Sequence, residues 1–368
     1  MKKIGIATFW DSEDNYGQLL QCFALIRFLS FLGCDPKLLK VDTHVDTTFF
    51  HKVLTFLFLL FSPKKLYKVI LNKKLGHKSK SINISYPRNF EAFRDKYIPS
   101  TKKFRVKDIF SNPPCYDAFI SGSDQVWNAL SPFYFLKFAP KGSKKIAYAA
   151  SMGGFTPCGK EMTALKEYVK DFDYISLREK QAVKYFKQND IYEADYVPDP
   201  TLLLSKKDYK ELYEEKKSKS PYIFLYLLGN KLRFDVKKVY EYAKSRKMDV
   251  VYVASQGRCD DFEKKYPTIE EWLSLIENAE MVVTNSFHGT VFAMIYRKKF
   301  VSILLSGVFA KMNDRIVDML SKYGLKDRIY SGDLEENEKD VDYDLFERLI
   351  EKEREYVQNK LVGVINKK

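Results

Sequence analysis

An apolar stretch at Ile4–Phe9, a polar loop over 11–16 and an apolar helical pattern from Tyr16 to Leu32 constrain this chain more than any other feature. Leu19, Phe23, Ile26 and Leu29 recur at helical spacing, Asn15 precedes them as an N-cap, and Gly33 follows as a terminator. Pro36–Val41 then reads as a second strand. Two strands joined by one helix form a β-α-β unit, the building block of a parallel sheet. The alternation continues with strand patterns at 117–122, 145–150, 174–176 and 196–200. A lysine-rich stretch at 205–220 marks a boundary, and strands recur at 222–229, 249–254, 281–284 and 300–305. The expectation is an α/β chain of two Rossmann-like domains facing a central cleft. Its boundaries fall at 1–204, 205–335 and 336–368, the last an amphipathic helix. A basic, aromatic insertion occupies about 45–110.

Within the second half, Val282–Met294 is the most informative segment for function. An apolar, β-branched run reads as a buried strand, and the apolar run after Gly289 reads as a buried helix. Between them stands His288. Ligands of open α/β folds bind outside the carboxyl ends of the strands, where helix N-termini offer N–H groups to anions. A histidine there can exchange a proton near neutrality, its unperturbed pKa being about 6.5. The plainer alternative is a histidine that caps the helix or packs in the core.

Composition narrows the partners. Sixty-two basic against 48 acidic residues leave a net charge of +14, which favours acidic partners such as phosphorylated small molecules, anionic membranes or nucleic acid. Helix-turn-helix, zinc and RNA-recognition signatures are lacking, so no nucleic acid partner is expected. The five cysteines are scattered without CxxC spacing, which argues against a metal site or a disulfide framework and fits a reducing cytoplasm. The longest apolar run, Val53–Phe61, is far shorter than the ~20 residues of a spanning helix. Flanked by Lys52, Lys64, Lys65, Lys68, Lys73 and Lys74, it suits peripheral contact with an anionic inner membrane face. It equally suits a lid or packing element with a solvated basic face. His44, His51 and His77 lie in or beside this insertion with no acidic partner nearby and read as bystanders.

Several segments together resemble the polysaccharide pyruvyl transferase family. They are Asn15-Tyr16-Gly17-Gln18-Leu19-Leu20-Gln21, Gly122-Ser123-Asp124-Gln125-Val126-Trp127-Asn128, Tyr148-Ala149-Ala150-Ser151-Met152-Gly153, Ser176-Leu177-Arg178-Glu179, Asp199-Pro200-Thr201-Leu202-Leu203 and Ser286-Phe287-His288-Gly289-Thr290. Each holds only two or three unusual residues; their order over some 300 positions carries the match. The resemblance implies a fold like the two-domain GT-B glycosyltransferases, with the C-terminal helix packing back on the first domain. It also implies transfer of pyruvate from phosphoenolpyruvate, as co-substrate with no further cofactor, onto two hydroxyls of a sugar. The sugar would be a galactose-like residue of a lipid-linked capsular or exopolysaccharide precursor. Some members carry an arginine just before the motif histidine; here Asn285, Ser286 and Phe287 stand there, and Arg315 or Lys311 is the candidate substitute.

On this reading His288 is the acid or the group that steadies the leaving phosphate. Arg178 clamps the donor, and Asp124 is either general base or a helix N-cap. Ser286, Gly289, Thr290, Asn313 and Arg315 are the remaining donor-side candidates. Asn15, Tyr16, Gln18, Ser123, Gln125 and Asn128 are the acceptor-side ones, with Trp127 a possible platform for a sugar ring. Asp199 is read only as the anchor of a turn through Pro200. The competing enzyme reading is a GT-B-type glycosyltransferase with a nucleotide-sugar donor.

Overall fold

The computed structural model describes residues 1–43, 88–214, 218–229, 234–254, 258, 260–307, 310 and 313–367. The apolar run Val53–Phe61 with its flanking lysines, His44, His51, His77 and Lys311 lie outside the described residues. The first sheet begins with β1 (Lys3–Ala7), buried from Ile4 onward. Helix α1 (Tyr16–Phe31) follows, and its N-cap Asn15 accepts a hydrogen bond from the Gln18 amide. Gly33 takes a positive φ of 77° after the helix, a conformation cheap only for glycine. The chain then supplies β2 (Asp35–Leu38) and a short parallel pair, β3 (Val41–Asp42) with β4 (Phe104–Arg105). Next come β5 (Ala118–Ser121), β6 (Lys144–Ala150), β7 (Tyr174–Leu177), helix α2 (Lys180–Gln188) and β8 (Asp195–Tyr196). Six of these strands form a parallel sheet in the order β2-β1-β5-β6-β7-β8.

The second sheet is built from β9 (Tyr222–Leu227), β10 (Asp249–Ala254), β11 (Met281–Thr284) and β12 (Lys299–Ser302), parallel in the order β10-β9-β11-β12. Helix α3 (Ile269–Asn278) precedes β11, α4 (Phe287–Ile295) links β11 to β12, and α5 (Asp314–Lys322) follows β12. β9 and β11 are buried at every position, as strands covered on both faces must be. The closing helix α6 (Asp344–Asn366) packs back on the first sheet's side. Its Arg354 donates to the carbonyls of Leu202 and Leu204, and its Tyr356 donates to Asp195.

Each sheet reverses its strand order once, between β1 and β5 and between β9 and β11. These switch points splay the flanking loops apart and are where such folds place ligands. Aromatic rings join the two halves. Tyr16 at the start of α1 stacks on Trp272 of α3 at 5.2 Å and meets Tyr226 of β9 edge-on at 5.7 Å. Each such pair adds roughly 0.5–1.5 kcal/mol beyond its buried area. The Tyr16 hydroxyl donates to the Pro267 carbonyl at 2.7 Å, which fixes how α1 sits against the second half. Among the described residues, no helix is long and apolar enough to cross a membrane.

Candidate functional site

At the first switch point the backbone is stapled to α1. The Thr8 hydroxyl donates to the Ser123 carbonyl at 2.9 Å, and Gln21 donates to the Thr8 oxygen at 3.1 Å. Gly122 has φ +114°, and a Cβ there would stand 2.3 Å from the Tyr148 carbonyl oxygen, so only glycine fits. Asp124 follows with φ +66° and begins a turn, not a helix, so it caps none. Its carboxylate accepts the Gln125 amide at 2.9 Å and lies 3.7 Å from Arg178.

At the second switch point Asn285 does the stapling. Its side chain accepts from the Leu228 amide at 2.8 Å and donates to the Leu228 carbonyl at 3.0 Å, tying the ends of β9 and β11. Ser286 caps α4 by accepting the Gly289 amide. Gly289 is required by packing, because a Cβ there would stand 2.5 Å from the Thr284 hydroxyl.

The two helices α1 and α4 converge at their N-termini, and His288 fills the contact. A Cβ on Gly17 would fall 2.0 Å from His288 Nδ1, so the ring lies directly on the α1 backbone. The first N–H groups of both helices lack intrahelical partners and carry partial positive charge. His288 Nε2 lies 3.7 Å from Asp199 Oδ2.

Asp199 is the hub that the sequence left as a turn anchor. It does anchor that turn, accepting the Thr201 amide and hydroxyl at 3.0 and 2.7 Å. It also accepts from Ser123 at 3.2 Å and from Arg178 Nη1 at 2.6 Å. Burial pushes its carboxyl up, but His288, Arg178 and Thr201 outweigh that and hold it well below the usual carboxylate range. Arg178 is 4% exposed, and its Nε and Nη2, like His288 Nε2, are buried with no hydrogen-bond partner among the described residues. Buried polar atoms without partners are rare in folded proteins and call for an explanation.

Two guanidiniums rest on the Phe287 ring. Arg178 lies 5.0 Å and Arg315 5.5 Å from the ring centroid. Burial, followed by the like charge of Arg178, pushes the Arg315 guanidinium down to about 10. Arg315 from α5 thus supplies a second cation here. It also lines a cavity of about 240 Å³ with Glu179, Gly153, Phe155 and Tyr185. Glu179 accepts a hydrogen bond from Ser151 through Oε1, while its buried Oε2 has no partner among the described residues.

Several of the expected contact residues have their polar groups engaged within the fold. Tyr16 is fully buried with its hydroxyl engaged, so it is core at the junction of the halves and not an acceptor contact. Ser123 is fully buried and donates to the Ala149 carbonyl and Asp199. Trp127 is enclosed, stacked on Phe135 at 4.6 Å, and unavailable as a sugar platform. Thr290 is fully buried and bonds Ser286 and Ser302. Asn313 spends its amide on the backbone of Leu305. Gln18 accepts the Ser12 amide, fixing the polar loop before α1. Gln125 and Asn128 stand together against Gly153, Asn128 exposed, on the rim of the first half. The sequence assigns no site role to Glu179 or Gly17, and to Asp199 only that of a turn anchor. Arg178 and Glu179 directly following a buried strand was the signal for one of them. No group of three His, Cys, Asp or Glu among the described residues is placed to hold a metal ion.

Two parallel sheets with facing switch points and a C-terminal helix returning to the first sheet define the GT-B class. Solved structures agree at the level of fold. S. aureus MnaA in complex with UDP has a TM-score of 0.51 and 12% identity, over 100% of this chain and 97% of that one. Arabidopsis thaliana UGT89C1 with UDP-L-rhamnose gives 0.53 and 10%, over 99% of each chain. The UDP-N-acetylglucosamine 2-epimerase of Rickettsia bellii gives 0.50 and 12%, over 99% and 96%. None of the curated proteins matches. The model of the family "Polysaccharide pyruvyl transferase" matches residues 15–307, and the chain belongs to that family.

Proposed function

We propose that this protein moves pyruvate from phosphoenolpyruvate onto two hydroxyls of a sugar in a polysaccharide precursor, releasing phosphate. The observation that carries the reading is a set of buried nitrogens without a hydrogen bond among the described residues: Arg178 Nε and Nη2, and His288 Nε2. A guanidinium pinned by one nitrogen, with no hydrogen bond on the others among the described residues, is preorganised for a pair of anionic oxygens. Arg315 and the N-termini of α1 and α4 add positive potential from the other sides. A donor with a phosphate at one end and a carboxylate at the other matches that arrangement.

In the reaction the methylene carbon of the donor gains a proton, and its π pair forms the new C–H bond. The neighbouring carbon becomes the electrophile for one sugar hydroxyl. The second hydroxyl displaces phosphate and closes the cyclic ketal. One hydroxyl proton replaces the proton given to carbon, and the other leaves with phosphate. Asp124, on the first half's rim with Gln125 and Asn128, takes the hydroxyl proton, and His288 steadies the leaving phosphate. A lipid-linked acceptor at an anionic membrane face is consistent with the net charge of +14.

Calorimetric titration tests the donor assignment without knowledge of the acceptor. Phosphoenolpyruvate binds the wild-type protein, and Arg178→Ala loses most of that affinity. Binding of nucleotide sugars in its place would overturn the reading in favour of glycosyl transfer.

A further inference from the structure

Charge balance around the proposed donor site leads to a second conclusion, which rests on that reading. Arg178 and Arg315 each feel Asp124, Glu179 and Asp199, so two guanidiniums, with the His288 ring beside Asp199, face three carboxylates. A phosphate monoester carries about −1.5 to −2 at pH 7, and the donor's carboxylate adds another negative charge. Placed in a buried site, that excess favours uptake of a proton by the group whose negative charge is least supported.

Hydrogen bonding singles out that group. Asp199 is held by Arg178, Ser123 and both donors of Thr201. Asp124 accepts a backbone amide and lies 3.7 Å from Arg178. Glu179 is 6% exposed and has Ser151 as its hydrogen-bond donor, while Oε2 has none among the described residues. It lines the cavity of about 240 Å³ that Arg315 also lines, with Asp314 and Tyr185 from the flanking helices. That space is below the roughly 300–1,000 Å³ of drug-sized sites and suits one small moiety. Protonation turns the orphan acceptor into a hydrogen-bond donor at a residue that lines this cavity.

We infer that Glu179 takes up a proton when the anionic donor binds and then delivers it to the methylene carbon. The proton lost from Glu179 forms the new methyl C–H bond with the alkene π pair. A hydroxyl proton of the acceptor restores the balance through Asp124. Donor binding and proton binding are then one linked event.

The test uses phosphoenolpyruvate and the full chain. Titration calorimetry in buffers of differing ionisation enthalpy counts protons taken up on binding. The wild type takes up a proton on binding, and its Kd weakens as pH rises, by up to about tenfold per pH unit. Glu179→Gln binds phosphoenolpyruvate with uptake near zero and a flat pH profile, while His288→Gln and Asp124→Asn keep the uptake in whatever binding they retain. Wild-type binding with no uptake overturns the inference and leaves the donor assignment standing. Uptake unchanged in Glu179→Gln, or lost instead in His288→Gln, also overturns it. Absence of any binding to the wild type defeats the donor assignment itself. The wild-type series decides the linkage even if Glu179→Gln fails to fold.

Discussion

The rims of the two sheets contribute unlike chemistry. The first sheet's rim carries formal charge: Asp124, Arg178, Glu179 and Asp199 all stand just beyond its strands, and all are at least nine-tenths buried. The second rim carries mostly neutral groups, and Asn285, Ser286 and Thr290 spend their side chains on the backbone or on one another. What the second half offers a ligand is the start of α4, His288 and, from α5, Arg315. One rim is an electrostatic device that is costly to bury, and the other is a rigid bracket that aims a helix and a ring.

The largest expected effect comes from breaking the charged rim. Arg178→Ala leaves Asp199 buried without its guanidinium, a loss of about 3–5 kcal/mol. Urea denaturation measures it, and a change below about 1 kcal/mol would show that the pair is not a buried unit. The bracket is probed by Gly17→Ala, whose new Cβ collides with the His288 ring. Overpacking of this kind costs about 1–3 kcal/mol, and displacement of the ring reduces donor affinity at the same time. Unaltered affinity in a folded Gly17→Ala protein would separate His288 from the donor site.

Acid sharpens the comparison. Because the folded carboxyl of Asp199 is depressed, its stabilisation is present above the unfolded value of about 4 and fades as pH falls through the lower folded value. Wild-type stability therefore declines more steeply below about pH 4 than that of Asp199→Asn, and equal slopes would refute the assignment. The smallest effect on donor binding belongs to the bracket. Thr290→Val removes two buried hydrogen bonds, destabilising by about 1–3 kcal/mol, yet leaves the Kd for phosphoenolpyruvate unchanged. A large loss of affinity would restore Thr290 as a donor contact.

Much of this architecture was legible in the residues. Asn15 and Gly33 mark the ends of α1 through capping and a positive φ, which are local effects. Strands were legible wherever burial on both faces forces continuous apolar runs, as in β9 and β11. His288 and Arg178 were found because each follows such a run. Asp199 was read correctly as a turn anchor but incompletely. Its contacts with Arg178 and His288 span 21 and 89 positions, and sheet order, which local pattern does not encode, brings them together. Tyr16 and Trp127 misled for a related reason. Their hydroxyl and indole N–H find backbone carbonyls inside the fold, at Pro267 and Tyr134, and so need no ligand.

In the proposed site the imidazole of one half and the guanidinium of the other share one anion. A crystal structure with phosphoenolpyruvate bound tests that most directly. It is expected to show the donor's anionic oxygens within hydrogen-bond distance of Arg178 Nε or Nη2 and of His288 Nε2. Donor seated instead in the groove of about 1160 Å³ at the amino ends of β9 and β10, lined by Tyr222, Asp249 and Tyr266, would contradict it.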